Sequence, residues 1–99
     1  MYARVNTFEG SPDRLGPALR HIRNQTLPQL QQQAGFEGIM VLVDRQTRKM
    51  VAVVLWDSEV TMRDSEEVAK RLRSEVADAG DQTLTRVERY EVALFEVSG

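Results

Sequence analysis

Apolar and polar residues follow two different periods along the chain, and each change of period marks a new element. A repeat of two with β-branched and aromatic residues predicts strands, whereas apolar residues three and four apart predict helices. Short polar or glycine-containing segments separate these runs. Four runs have strand character, and they cover residues 2–9, 36–44, 49–57 and 85–97.

The first helical region lies between the first two strands. Ser11 is suited to cap a helix and Pro12 to occupy its first position, although Pro17 allows the start to move to about residue 17. Pro28 lacks a backbone N–H and is expected to kink or divide the helix near Leu27. One side of the predicted helix carries Leu15, Leu19, Ile22, Thr26 and Leu30, and Gly35 is suited to a left-handed stop.

The second helical region follows the third strand. Asp57 or Ser58 is suited to cap it, and Ser65 indicates a second start inside it, so a short helix followed by a longer one is expected. Gly80 ends the region. Its apolar stripe consists of Val68, Leu72, Val76 and Ala79.

The elements therefore follow the order β-α-β-β-α-β. This order predicts one ferredoxin-like α+β domain over residues 1–99, with a four-stranded antiparallel sheet and both helices on one face. Because crossover connections are right-handed, the helices are placed on a common side of the sheet.

The second face of this sheet is predicted to be apolar as well. On the second strand Phe36, Met40 and Leu42 alternate with Ile39, Val41 and Val43, and the third strand is apolar on both sides too. An exposed patch of this size would be prone to aggregation. Each Val or Leu buried there contributes about 1.5–3 kcal/mol, so we expect a homodimer formed by sheet-to-sheet packing across a two-fold axis.

The composition limits the partners, the location and the cofactors that can be expected for the protein. Thirteen Lys and Arg against fifteen Asp and Glu give a net charge of −2, which argues against nucleic acid as a partner. No apolar run is long enough for a membrane span, and the first residues have no hydrophobic signal region, so a cytoplasmic protein is expected. With no Cys and a single His, we expect neither a metal nor a bound cofactor.

Three segments carry a resemblance to a known family. They are AGFEG at residues 34–38, WDSE at residues 56–59 and RDSEE at residues 63–67. Together with the element order they resemble the antibiotic biosynthesis monooxygenase family, whose members are dimeric α+β barrels. The resemblance covers nearly the whole chain, and the family includes cofactor-independent oxygenases of aromatic polyketides, quinol oxygenases and haem-degrading proteins.

The resemblance implies a pocket in each subunit between the sheet and the helices. Asn6 matches a pocket asparagine of the family on the first strand, and alternation places Arg4 and Phe8 on the same face, with Val5 and Thr7 facing the dimer partner. In this role Asn6 would hydrogen-bond a substrate oxygen or a reduced dioxygen species. The alternative is a polar residue bonded to a neighbouring loop or strand edge.

Trp56 is the second candidate catalytic residue, since a tryptophan facing the pocket can stack on an aromatic substrate. Packing in the core is the alternative. Arg63 either reaches the pocket mouth or belongs to a solvated helix face, and Tyr90 faces either the pocket or the core.

Haem degradation in this family needs an axial His on the second helical region. None is present there, and His21, on the first helix, is expected at the surface. Arg71 and Arg73 are expected on a solvated helix face together with Glu66, Glu67 and Glu75.

Three functions fit these observations. The first is a cofactor-independent monooxygenase of a small aromatic substrate, with Asn6, Trp56 and Phe8 lining a dry pocket. The second is a non-catalytic dimer that binds a small apolar ligand or regulates a partner. The third is a structural dimer without a pocket. A cavity of several hundred Å³ lined by Asn6 and Trp56 would favour the first two.

Overall fold

The computed structural model describes all residues from Met1 to Gly99. Four antiparallel strands form one sheet in the order β2-β3-β1-β4, so that β1 and β3 are central. The strands are β1 (Tyr2–Gly10), β2 (Phe36–Asp44), β3 (Lys49–Trp56) and β4 (Gln82–Glu91). The helices are α1 (Leu15–His21), α2 (Leu27–Leu30), α3 (Glu59–Asp64) and α4 (Glu66–Ala79).

The predicted ferredoxin-like fold is confirmed, and local sequence signals explain most element boundaries. Ser11 precedes a short 3-10 turn, Pro12–Arg14, and its hydroxyl accepts a hydrogen bond from the Asp13 N–H. Ser58 caps α3 by accepting from the Thr61 N–H at 3.1 Å, while the Thr61 hydroxyl accepts from the Ser58 N–H. These reciprocal bonds satisfy donors that a helix start leaves free.

The first helical region is divided, as Pro28 predicts. Between α1 and α2 the chain forms a π-helical segment, Ile22–Thr26, in which hydrogen bonds span five residues instead of four. Pro28 follows directly in α2 and has no N–H to contribute to a regular helix. Two buried side chains, Ile22 and Thr26, point from this segment toward the sheet side of the helix.

The core lies between the helices and one face of the sheet, in two clusters. One cluster is built around Phe8 and Met50 and packs against α1; the other is built around Trp56 and packs against Leu30, Met62 and Leu72. Buried residues alternate along β3, and Met50, Ala52, Val54 and Trp56 all face the helices. This alternation is the expected signature of a sheet with one face covered by helices.

Two strand predictions are wrong, one of a side-chain direction and one of a strand boundary, for reasons that lie beyond the local pattern. Phe36 was expected on the same face as Met40, but a register shift between Phe36 and Gly38 reverses its direction, and it packs on Trp56. The last strand covers residues 82–91 instead of 85–97. Because Glu91 already pairs with Tyr2 at the start of β1, the following residues have no strand beside them.

The face of the sheet opposite the helices is open to solvent; it is mainly apolar on β1, β2 and β3 and charged on β4, where Arg86 and Glu88 lie beside Thr7 and Val5. Val5 and Thr7 lie on it, as expected, and their cross-strand neighbours on β3 are also apolar. At the β2 side, Met40 and Leu42 are about half exposed. We call this surface the open face; its apolar members are Val5, Met40, Leu42, Val51, Val53 and Leu55.

None of the helices combines the length and the apolar character needed to cross a membrane.

Candidate functional site

A small cavity lies between the central strands and the helices. Its volume is about 40 Å³, which is room for a few water molecules. The sheet contributes Arg4, Asn6, Phe8, Ile39, Ala52 and Val54, and the helical regions contribute Ile22, Thr26, Leu30, Ala69, Leu72, Arg73 and Val76. The cavity is far smaller than the several hundred Å³ that the sequence analysis associates with a ligand-binding protein.

A second, open groove of about 510 Å³ lies on the outer side of the same wall. Ile22 and Ile39 border both spaces, so these two side chains separate the cavity from the groove. Leu19, Leu27 and Val41 make the groove largely apolar, with polar groups of the π-helical segment at its rim. The cavity and the groove therefore adjoin at these two isoleucines.

Arg4 lies on β1 at the polar end of the cavity and is 1% exposed. Its Nη2 donates to the Met62 carbonyl at 2.6 Å and to Glu66 Oε2 at 2.8 Å, and its Nη1 donates to Ser65 Oγ at 3.2 Å. All three partners lie at the break between α3 and α4, where the helix ends leave groups free to accept. Arg4 Nε has no hydrogen-bond partner.

Asn6 is 3% exposed and faces the cavity from the centre of β1. Its Nδ2 donates to the Ala52 carbonyl on β3 at 3.1 Å. Because a carbonyl oxygen cannot accept a hydrogen bond from another carbonyl, this contact fixes the orientation of the amide. Asn6 Oδ1 is consequently left as a buried acceptor without a partner.

Arg73 and Thr26 also border the cavity, and sequence reasoning did not assign either to the site. Arg73 was expected on a solvated face, but its side chain is 11% exposed, and both its Nε and its Nη1 lack partners. Thr26 is 6% exposed and its Oγ1 has no partner. The signal for Arg73 was its spacing, because Ala69, Leu72, Arg73 and Val76 occupy one helical stripe.

One carboxylate forms salt bridges with three arginines beside the cavity. Glu66 pairs with Arg4, Arg73 and Arg89, so the group carries an excess of positive charge. Burial lowers the pKa of the guanidinium groups of Arg4 and Arg73 despite the charge of Glu66. Burial would raise the pKa of Glu66, but the hydrogen bonds and charges of Arg89 and Arg4 outweigh it and hold that pKa below its ordinary value.

Trp56 does not border the cavity. It is fully buried, its ring meets the Phe36 ring edge-on at 6.0 Å, and the Arg4 guanidinium carbon lies 5.9 Å from its ring centroid. Because Trp56 is not among the residues that line the cavity, the expectation that it stacks on a substrate there is corrected to its alternative, packing in the core. The residue acts on the site through Arg4, since cation–π contact helps to hold that guanidinium in place.

Arg63 lies on a solvated helix face, which is one of its two expected positions, whereas Tyr90 and His21 differ from theirs. The Arg63 side chain is 74% exposed and pairs with Glu59, and Tyr90 is 50% exposed and donates to Glu88 at 2.6 Å. Arg63 and Tyr90 border a surface depression of about 240 Å³ that is separate from the cavity. His21 is half-buried instead of surface-exposed, and its buried Nε2 lacks a partner.

The chain is similar in sequence to two uncharacterized proteins of Mycobacterium tuberculosis. One is 34% identical over 97 residues, which cover 96% of this chain and 40% of the relative. The other is 30% identical over 93 residues, which cover 94% of this chain and 41% of the relative. The chain thus spans about two fifths of the length of these relatives. No family model matches it.

Solved structures reveal the fold class. A monooxygenase of Streptomyces coelicolor in complex with nanaomycin D superimposes with a TM-score of 0.75 at 13% identity, covering 99% of this chain and 92% of that one. A proposed antibiotic biosynthesis monooxygenase of Deinococcus radiodurans gives 0.71 at 16% identity, with both chains fully covered. The chain has the fold of the antibiotic biosynthesis monooxygenases. A cofactor-independent oxygenase of Streptomyces nogalater has this fold too, with a TM-score of 0.65, 18% identity and coverage of 95% and 94%.

The cavity occupies the space between sheet and helices in which the family resemblance implies a pocket. Arg4, Asn6 and Phe8 face that space together. No group of three or more His, Asp or Glu side chains is arranged to hold a metal ion.

Proposed function

We propose that the protein is a cofactor-independent monooxygenase of a small aromatic substrate of the hydroxyanthrone or quinol type. The main support is the cavity, which combines a mostly apolar wall with the buried, unpartnered amide oxygen of Asn6. The fold shared with a cofactor-independent oxygenase is consistent with this chemistry.

In the proposed reaction the ionised substrate itself reduces dioxygen. For a substrate of the anthrone type, the CH₂ group of the central ring becomes a carbonyl; one oxygen atom enters the product and the other leaves as water, so no external reductant is needed. Asn6 would orient the substrate by accepting a hydrogen bond from its hydroxyl group, and Phe8 would pack against its ring. The apolar wall would keep water away from the reacting carbon.

Substrate entry in this proposal requires the wall to open. The cavity of about 40 Å³ is too small for an anthrone, and the adjoining groove of about 510 Å³ is large enough. Separation of Ile22 and Ile39 would join the two spaces. The π-helical segment that carries Ile22 is a type of distortion often found at functional sites.

Oxygen uptake with 1,8-dihydroxyanthrone tests the proposal. We expect the protein to accelerate uptake above the spontaneous rate, and Asn6→Ala to remove most of that acceleration while leaving the circular dichroism spectrum unchanged. Gln32→Ala, which removes an exposed amide, is the matched control and should keep full activity. Uptake at the spontaneous rate, or equal acceleration by Asn6→Ala, would contradict the proposal.

A non-catalytic ligand-binding protein is the second candidate function. Arg4, Asn6, Thr26 and Arg73 line the cavity, and each has a buried polar atom without a partner, whether or not a reaction takes place there. Buried polar atoms without partners are costly, and a bound ligand would satisfy them. Saturable binding of an aromatic ligand without oxygen uptake would favour this candidate.

We further propose that two copies of the chain pair through their open faces. The open face is apolar at its centre, and Leu42 and Met40 are 49% and 47% exposed. A second copy supplies a matching apolar surface and would leave the helices of both copies outside.

A further inference from the structure

The hydrogen-bonding groups that remain free around the cavity are mainly donors. Arg4 offers one N–H at Nε, Arg73 offers Nε and Nη1, and Thr26 offers a hydroxyl. Asn6 Oδ1 is the single pure acceptor among them. A neutral ligand with equal numbers of donors and acceptors would leave several arginine N–H groups unsatisfied, whereas a carboxylate accepts at two oxygens.

The excess of positive charge beside the cavity also favours an anionic ligand. Arg4 is 1% exposed and the Arg73 side chain 11% exposed, yet the two share one carboxylate, Glu66, which also pairs with Arg89. Removing positive charge from water without an equal negative charge is costly. An anion in the cavity would offset that cost and accept hydrogen bonds from the remaining N–H groups, at Nε of Arg4 and at Nε and Nη1 of Arg73.

We propose that the polar end of the cavity is a carboxylate subsite, in which Arg73 and Arg4 bind the acid group of an aromatic ligand and Asn6 accepts a hydrogen bond from its hydroxyl. This inference rests on the proposed function only in placing the ligand in the same cavity. The volume of about 40 Å³ holds the acid group. The ring extends between Ile22 and Ile39 toward the groove.

Matched probes test the subsite by calorimetry at neutral pH. 3-Hydroxybenzoate and 3-hydroxybenzamide have the same ring and hydroxyl and differ in charge. Hydrogen bonds to charged groups are stronger than those between neutral groups. 3-Hydroxybenzoate is therefore expected to bind at least about tenfold more tightly than 3-hydroxybenzamide. Benzoate, which lacks the hydroxyl, is expected to bind more weakly than 3-hydroxybenzoate. Equal affinity for the acid and the amide would overturn the proposal.

The site of binding is read from the arginine Nε–H signals in an NMR spectrum of the unmodified protein. Addition of 3-hydroxybenzoate should shift the signals of Arg4 and Arg73 and leave that of the exposed Arg71 in place. This measurement needs no variant, so it stands even if a substitution in the cavity prevents folding. Acid binding that moves neither Arg4 nor Arg73 would place the acid elsewhere, such as on the open face, and overturn the proposal.

Variants then distinguish the contributions of Arg73 and Arg71, both on α4, to acid binding. Arg73→Gln should abolish the preference for acid over amide, and Arg73→Lys should restore part of it. Arg71→Gln, two residues away at an exposed position on the other side of the helix, should keep it. An acid preference that survives Arg73→Gln contradicts the proposal.

Oxygen uptake is measured separately: binding without uptake contradicts only the oxygenase, and uptake without acid preference contradicts only the subsite.

Discussion

Glu66 joins three parts of the molecule through one carboxylate. Arg4 reaches it from β1, Arg73 from the same helix and Arg89 from β4. The arginines hold the pKa of Glu66 below its ordinary value of about 4.5. At neutral pH the carboxylate is ionised, and it positions Arg4 and Arg73 beside the cavity.

The low pKa of Glu66 predicts a pH-dependent stability. Because its pKa is lower in the folded than in the unfolded protein, the stabilisation is complete above about pH 4.5 and is lost as pH falls through the folded-state value. Urea unfolding at pH 7 and pH 3.5 measures the difference. Glu66→Gln should lower stability at pH 7 more than at pH 3.5.

Glu67→Gln is the matched control, since Glu67 is the exposed neighbour of Glu66 on α4. It should lower stability at pH 7 less than Glu66→Gln does, because Glu67 forms no salt bridge. If Glu66→Gln and Glu67→Gln behaved alike, the arginines would contribute nothing through Glu66. Since Glu66 is itself partly exposed, solvent screening limits the size of the effect.

Strand alternation predicted the inward direction of Arg4, Asn6 and Phe8 correctly, because the side chains of a strand point to opposite faces in turn. The roles proposed for these residues remain predictions. Alternation also placed Trp56 toward the helices, but it cannot tell a buried core position from a cavity wall. Arg73 was missed because its charge was given more weight than its place on the apolar stripe of α4.

At the scale of elements, two interrupted helices create the polar end of the cavity. The π-helical segment carries Thr26, and the break at Ser65 presents the Met62 carbonyl and the Ser65 hydroxyl to Arg4. Pro28 and Ser65 allowed both interruptions to be predicted from the sequence. The end of β4 was not predictable in this way, because the length of a strand depends on the strand beside it.

A close approach between α1 and α4 predicts a sensitive glycine. A Cβ at Gly80 would lie 2.5 Å from the Ala18 Cβ, which is fully buried, and 3.2 Å from the Arg14 carbonyl oxygen. Gly80→Ala is therefore expected to lower the free energy of unfolding by about 1–3 kcal/mol, as overpacking does in other cores. Urea unfolding at one protein concentration measures the change.

Gly16→Ala on α1 serves as its control. Apart from its two chain neighbours, its new Cβ would meet only the flexible end of Arg20, at 3.4 Å. Alanine favours a helix over glycine, but Pro17 disfavours a helical alanine before it, so stability is expected to change by no more than about 1 kcal/mol in either direction. A Gly80→Ala protein as stable as the unmodified one would show that the helix ends separate freely.

At the scale of the whole molecule, the sheet has two apolar faces and only one is covered. The sequence predicted this from the alternation along β2 and β3, and the open face confirms the pattern, although the register shift moves Phe36 to the covered side. The surface that covers the open face belongs to another molecule, so the pattern of one chain predicts that a partner is needed but does not determine which one.

The proposed dimer predicts a mass of twice 11.3 kDa in light scattering at micromolar concentration. Leu42→Glu places a charge on the open face and should shift the mass toward one chain, because a buried unpaired charge is costly. Val60→Glu changes an equally apolar residue that is 67% exposed on α3, and should leave the mass unchanged. An unmodified protein with the mass of one chain would contradict the dimer.

The position of the cavity has a consequence for such an assembly. Each cavity lies on the helix side of its own sheet, whereas the copies would meet through the other sides. Two sheets packed about 10 Å apart would then stand between the ligands, and neither ligand would touch a residue of the other copy. Each pair of chains would accordingly take up two ligands independently, giving a hyperbolic saturation curve with a Hill coefficient of about 1.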